Sequence, residues 1–260
     1  MATAENNPLY HSYAEELEQI KKQNSFRFFK DIERDKAGYI KLATQKMRQM
    51  LDLSSNDYLG LSFDQQLLEE FKETYGLPLH GLGSASSRLL TGHFEEHAQL
   101  EGLMAEAFGR AALVFNSGYH TNLGVLPALA DERSLIVSDE LIHASIIDGI
   151  RLTKAQRQRF EHQNYEQLEQ ILAQAQNNRD IDKVFVVVES VYSMDGDIAD
   201  LRALVELKNK YPKTLLYVDE AHGIGVFGER GLGVAEEQGI IGEIDFLVGA
   251  FGKAVASVGG

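Results

Sequence analysis

From about Phe94 onward the chain alternates short apolar runs with amphipathic stretches, and this alternation limits the fold more than any other feature. The apolar runs cover 112–115, 134–137, 184–188, 215–218 and 246–248, and each is followed within a residue or two by Gly, Ser, Asp or Glu. Short unbroken aliphatic runs of this kind read as parallel strands buried on both faces. Between them, 95–107, 165–175 and 201–210 carry helical periodicity. Strand and helix in alternation predict an α/β fold with helices on both faces of a mostly parallel sheet. The first sixty residues differ: 10–23 reads as an amphipathic helix, 39–42 and 50–53 as short strands, and SSNDYLG (54–60) as a turn-rich loop. The expected division is an N-terminal helix and arm over 1–62, packed on a large domain over 63–260.

In open α/β sheets ligands bind beyond the carboxyl ends of the strands. The polar residues at those ends are Ser117 and Gly118, Asp139 and His143, Glu189 and Ser193, Asp219 and His222, and Lys253. They lie far apart in sequence, yet this topology can bring them to one crevice. What they could hold is narrowed by composition. The chain has no cysteine, which excludes disulfides, thiolate metal sites and cysteine nucleophiles, and no metal site is expected. A formal net charge of −14 argues against a broad nucleic-acid footprint or attraction to anionic membranes. The N-terminus shows no basic segment followed by an apolar run, and no stretch approaches the roughly 18 apolar residues of a membrane span. A soluble cytoplasmic protein is the expectation.

Taken singly, the motifs each have an ordinary reading. VDEAHG places Asp219 at a strand end with His222 three residues on, which suits a cationic heterocycle or a plain turn. The DEAH string would need a phosphate loop as partner, but Leu247 stands where the first glycine of GxxxxGK should be. Gly223, Gly225 and Gly228 spell GxGxxG with Asp245 downstream, but GERGLG follows and is too glycine-rich to open a packed helix. Ser117, Gly118 and Tyr119 form a small-residue turn into a helix, with free N–H groups and a dipole suited to phosphate. His143 in DELIHAS could stack on an aromatic ligand. Lys253 in AFGKA follows a buried strand among small residues, where a depressed pKa permits Schiff-base chemistry.

The order of these segments is more specific than any one of them. SSNDYLG, SGYHTN, DELIHASIIDGIR, ESVYSMDGDIADL, VDEAHGIGVFGERG and FGKA occur in series from about Tyr10 to Gly260. The series resembles the α-oxoamine synthases, pyridoxal-phosphate enzymes of fold type I with an aspartate-aminotransferase-like large domain. SSNDYLGL, SASSRLLTGH and FGKAVASVGG look most like the biotin-pathway branch. That resemblance implies pyridoxal 5′-phosphate as cofactor, and decarboxylative condensation of L-alanine with a pimeloyl thioester of coenzyme A or acyl carrier protein. It also implies a homodimer. Glycine C-acetyltransferase and 5-aminolevulinate synthase share the cofactor residues, so these motifs do not separate them.

Carried onto matching positions, the resemblance makes Lys253 the Schiff-base lysine that later moves the α-proton. Asp219 pairs with the ring nitrogen, and His222 and Ser193 contact the ring 3-oxygen. His143 stacks on the ring, with Ser117, Gly118 and Tyr119 beside the cofactor. Asn56 holds the amino-acid carboxylate and Arg27 lies near the acyl substrate. Ala250 departs from the family, which usually has threonine there as a phosphate contact. Family members also continue well beyond the position of Gly260, into a small C-terminal domain. The isolated chain, or a silent module of this kind, is therefore expected to show little synthase activity.

Overall fold

The structure, a computed structural model, describes residues 8–34, 39–42, 49–76 and 83–260. Residues 1–7, read above for a leader, lie outside the described residues. The chain divides into two compact units, Met1–Ser55 and Asn56–Gly260.

In the first unit, α1 spans Pro8–Lys22. Three short strands, β1 (Ile32–Arg34), β2 (Tyr39–Leu42) and β3 (Gln49–Leu51), form an antiparallel sheet in the order β1-β2-β3. Ile40 stands opposite Met50 in that register. Arg34 is ion-paired to Asp52 at 3.3 Å.

The second unit holds α2 (Gln65–Tyr75), α3 (Glu95–Phe108) and α4 (Gly118–Leu129) ahead of the main sheet. There follow β4 (Ser134–Asp139), α5 (Ala144–Leu152), β5 (Gln156–Phe160), α6 (Tyr165–Asn177), β6 (Lys183–Glu189), α7 (Leu201–Lys210), β7 (Thr214–Asp219), α8 (Val234–Glu237) and β8 (Phe246–Val248). The five strands are parallel in the order β5-β4-β6-β7-β8. Successive side chains on a strand point to opposite faces. Leu135, Val137, Val184, Val186, Val188, Leu216 and Val218 accordingly pack with α6 and α7 on one face. Ile136, Phe185, Val187, Tyr217 and Val248 pack with α4 and α5 on the other. Burying one such Leu or Phe contributes about 1.5–3 kcal/mol, so the two layers hold the sheet from both sides. This is the expected α/β architecture.

Two elements depart from the sequence reading. Residues 112–115 do not form a strand. The Val114 N–H donates to Glu101 Oε1 at 2.8 Å and its carbonyl accepts from Arg88 Nη1 at 2.7 Å. Side chains have taken the groups a ladder would need, and only Phe115 pairs, with Gly260. Conversely, β5 (QRQRF) is a strand that apolar periodicity does not reveal. It lies at the sheet edge, and four of its five residues are exposed.

The glycine-rich segment after β7 does not open a dinucleotide site. It wraps the buried Glu220 carboxylate, which accepts from Ala235 N–H at 2.8 Å, Val234 N–H at 3.1 Å and Ser190 Oγ at 2.5 Å. Gly233, at φ 106°, has no room for a Cβ, because Glu220 lies 2.6 Å from where it would stand. Asp245, the would-be ribose acid, instead pairs with Lys208 at 2.8 Å and accepts from Leu216 N–H at 2.7 Å. No helix among the described residues is long and apolar enough to cross a membrane.

Candidate active site

The carboxyl ends of β4, β6 and β7 end in buried polar residues: Asp139, Glu189 and Asp219. Beyond them opens a cavity of about 370 Å³. Among its lining residues are Lys253, His143, Asp219, Ser117, Gly118, Tyr119 and Asn56, all singled out from the sequence. His222 is not in the wall but touches Lys253, its Nε2 lying 2.8 Å from Nζ. Ser193 sits exposed in the turn 193–195 and is not among the lining residues. Arg27 is an exposed residue of the Met1–Ser55 unit.

Asp219 is 6% exposed and held at both oxygens. Oδ1 accepts from Ala221 N–H at 2.9 Å, and Oδ2 accepts from Asn122 Nδ2 at 2.9 Å. Asn122, buried in α4, also donates to Ser145 Oγ at 3.0 Å and accepts from Tyr217 Oη at 2.6 Å. Ser145 Oγ in turn lies 2.8 Å from His143 Nδ1, which also accepts the Ser145 N–H at 3.2 Å. That imidazole caps the N-terminus of α5 through Nδ1, which leaves the proton on Nε2. One polar network thus fixes the Asp219 carboxylate and the His143 ring together. Asn122, Ser145 and Tyr217 were not read from the sequence. The available signal was Asn122 itself, four residues before buried Leu126 and so on the apolar face of its helix.

Lys253 is half-buried and its pKa is lowered by desolvation, an effect opposed by Asp219 and Glu189. Burial, the Lys253 charge and His143 bring His222 down to about 4. His222 is therefore neutral and accepts from Lys253 at Nε2. Its Nδ1–H then donates to Tyr58 Oη at 2.7 Å, and Tyr58 donates to Asn56 Oδ1 at 3.2 Å. Burial first, and the neighbouring Asp219 charge second, push Glu189 up to about 8. Glu189 is thereby kept protonated at neutral pH beside Asp219.

Ser117 caps α4, its Oγ accepting from His120 N–H at 3.1 Å. As the first helical residues, Gly118 and Tyr119 have N–H groups without partners inside the helix, at the positive end of its dipole. The Ala250 side chain lies against this turn, 3.1 Å from where a Cβ on Gly118 would stand. A cavity with an anion-suited helix terminus, a buried carboxylate and an amine of lowered basicity fits a phosphorylated, cationic, aldehyde-bearing ring.

Residues 48–260 match the family described as aminotransferase class I and II. The chain belongs to that family. Its α/β sheet is that of the fold-type-I pyridoxal-phosphate transferases, and the cofactor expected from the sequence is the one this family uses. Over 248 residues the chain is 53% identical to a Pasteurella multocida protein provisionally named 8-amino-7-oxononanoate synthase, covering 95% of this chain and 62% of the relative. A Neisseria meningitidis relative of the same provisional name is 51% identical over 95% of this chain and 64% of its own length. The chain thus spans less than two thirds of these curated relatives. Among solved structures it resembles a serine palmitoyltransferase from S. paucimobilis with a bound PLP–myriocin aldimine, at TM-score 0.82 and 31% identity over 98% of this chain and 63% of that one. An 8-amino-7-oxononanoate synthase from Francisella tularensis matches at TM-score 0.61 and 31% identity over 80% of this chain and 56% of that one. These relatives bear out the resemblance to the α-oxoamine synthases.

Proposed function

We propose that this chain serves the condensation of L-alanine with a pimeloyl thioester, with loss of carbon dioxide, to give 8-amino-7-oxononanoate. The observation that carries the reading is the Lys253 amine, of lowered pKa and hydrogen-bonded to neutral His222, in the wall of a cavity it shares with the buried Asp219 carboxylate. When bound, pyridoxal phosphate supplies an electron-poor ring able to take up the electron pair left by α-proton removal. Every other task falls to the protein. Asp219, fixed at both oxygens, holds a proton on a ring nitrogen by opposite charge. The α4 N-terminus takes the phosphate. His143, locked by its own cap, offers a ring face for stacking. Lys253 Nζ, made less basic by burial, gives and receives the α-proton, and His222 Nε2 fixes where it stands. Asn56 takes the amino-acid carboxylate, and Ser193, carried on the exposed 193–195 turn outside the cavity wall, is assigned with His222 to the ring 3-oxygen.

Added pyridoxal phosphate should give a visible absorbance band with the protein, and Lys253→Ala should abolish it. An unchanged band in the variant would mean a different amine holds the cofactor. Substrate choice is tested by thiol release from pimeloyl-coenzyme A with L-alanine, set against palmitoyl-coenzyme A with L-serine. Preference for the second pair would move the reading to serine palmitoyl transfer, the reaction named for the structures of higher TM-score.

A further inference from the structure

Outside the cavity wall, three loops at the carboxyl ends of β4, β5 and β6 meet at one imidazole. His162 Nδ1 lies 3.0 Å from both oxygens of Asp139, and Nε2 lies 2.5 Å from Asp197 Oδ2. Asp139 is 1% exposed and ends β4, four residues before His143. Asp197 follows the turn that bears Ser193, by four residues. Gln163, held at φ 52°, donates its N–H to Asp139 Oδ2 at 3.0 Å and its side-chain amide to Asp197 Oδ2 at 2.5 Å. The Tyr192 ring packs edge-on against the imidazole at 4.5 Å. No residue of this cluster lines the cavity.

We propose that His162 is a positioning residue for the cofactor site. Its imidazolium ties the loop bearing His143 to the loop bearing Ser193. The inference rests on the reading that those two loops serve the cofactor. The chemistry follows from proton count, because neutral imidazole has one N–H and only the cation donates to both carboxylates at once. The groups that face the ring are Asp139 from the end of β4, Tyr192 and Asp197 from the segment after β6, and the Gln163 side-chain amide, while Glu140 accepts the His162 backbone N–H. Burial works against the His162 charge, but the two aspartates outweigh it and the pKa is raised. A raised histidine gives its stabilisation fully at low pH and loses it as pH rises through the folded-state pKa. The tie is therefore closed in acid and loosened in base.

The test uses the 260-residue chain and His162→Gln, which cannot become a cation. Pyridoxal-phosphate affinity is followed by absorbance from about pH 6 to about pH 9, bracketing histidine titration. Contributions from Lys253 and Glu189 are common to both proteins and cancel in the ratio of dissociation constants. The variant should bind about fivefold more weakly at the acid end, with the ratio falling toward one in base. A ratio that stays constant with pH, or that equals one throughout, overturns the proposal. Chymotryptic cleavage in the exposed 193–195 turn gives a second readout that needs no cofactor. The ratio of variant to wild-type rate, which cancels the protease's own pH dependence, should exceed one at the acid end and fall toward one in base, and a ratio of one throughout overturns the proposal as well. Absence of cofactor binding in the wild type with the cleavage difference intact would sink the functional reading and leave the tie standing. Should His162→Gln fail to fold, Asp197→Asn removes one of the two acceptor charges, and a pH-independent ratio there is equally fatal.

Discussion

Glu189 shows most directly how burial sets charge at this site. Its carboxyl lies beside Asp219 in a largely desolvated place, and its pKa stands at about 8. Between the unfolded value near 4.5 and that figure, the folded chain keeps a proton the unfolded chain has lost. Its contribution to stability is thus fully present below about pH 4.5 and declines until about pH 8. Glu189→Gln keeps the neutral shape and removes the titration. Urea unfolding at about pH 5 and about pH 8 should show the variant gaining on the wild type by on the order of a few kcal/mol across that interval. A stability difference independent of pH would show that Glu189 is not held protonated. The same scale explains what the sequence could not reveal. Lys253, Asp219 and His143 stand out because charged or ring residues follow apolar runs. Ser145 and Tyr217 look like ordinary helix and strand residues, and only their convergence on Asn122 gives them a part.

At the scale of elements, the site depends on how closely α4 and α5 approach. Gly149 of α5 faces α4 with no space for a side chain, since a Cβ would stand 2.5 Å from the Asn122 carbonyl oxygen and 3.1 Å from Leu126 Cδ1. Gly149→Ala improves local helix propensity by about 1 kcal/mol, but overpacking at such a contact costs about 1–3 kcal/mol. The expected result is a lower melting temperature together with weaker cofactor binding, because the displaced backbone carries Asn122 and with it Asp219. Unaltered binding affinity would mean the helix pair yields without disturbing the network. Four of the five strands of the main sheet were legible because both faces are buried and their sequences are aliphatic. The reading of 112–115 as a strand was misled by the same signal, since hydrophobic composition says nothing about which backbone groups Arg88 and Glu101 have already taken. Polar β5 was hidden for the opposite reason.

At the scale of the whole molecule, the family and its fold were legible from the order of six motifs. How far a resemblance reaches into chemistry depends on single positions such as Ala250, where the expected hydroxyl is missing. The chain carries 39 acidic residues against 25 Lys and Arg. In that acidic background β5 is unusual, with Arg157 and Arg159 exposed on a strand whose outer edge has no neighbour among the described residues. An open edge is a template on which a second copy can add its own strand. Here such a copy would bring arginine against arginine, and the encounter would be repelled before any ladder formed. Replacing both by valine should leave the monomer's fold unchanged while raising light scattering on prolonged incubation, with thioflavin binding as the confirming signal. Clear solutions of the double variant would show that the edge is guarded by some other means. On that expectation, two charges that contribute nothing visible to the active site are what keeps the open edge of the sheet from serving as a template.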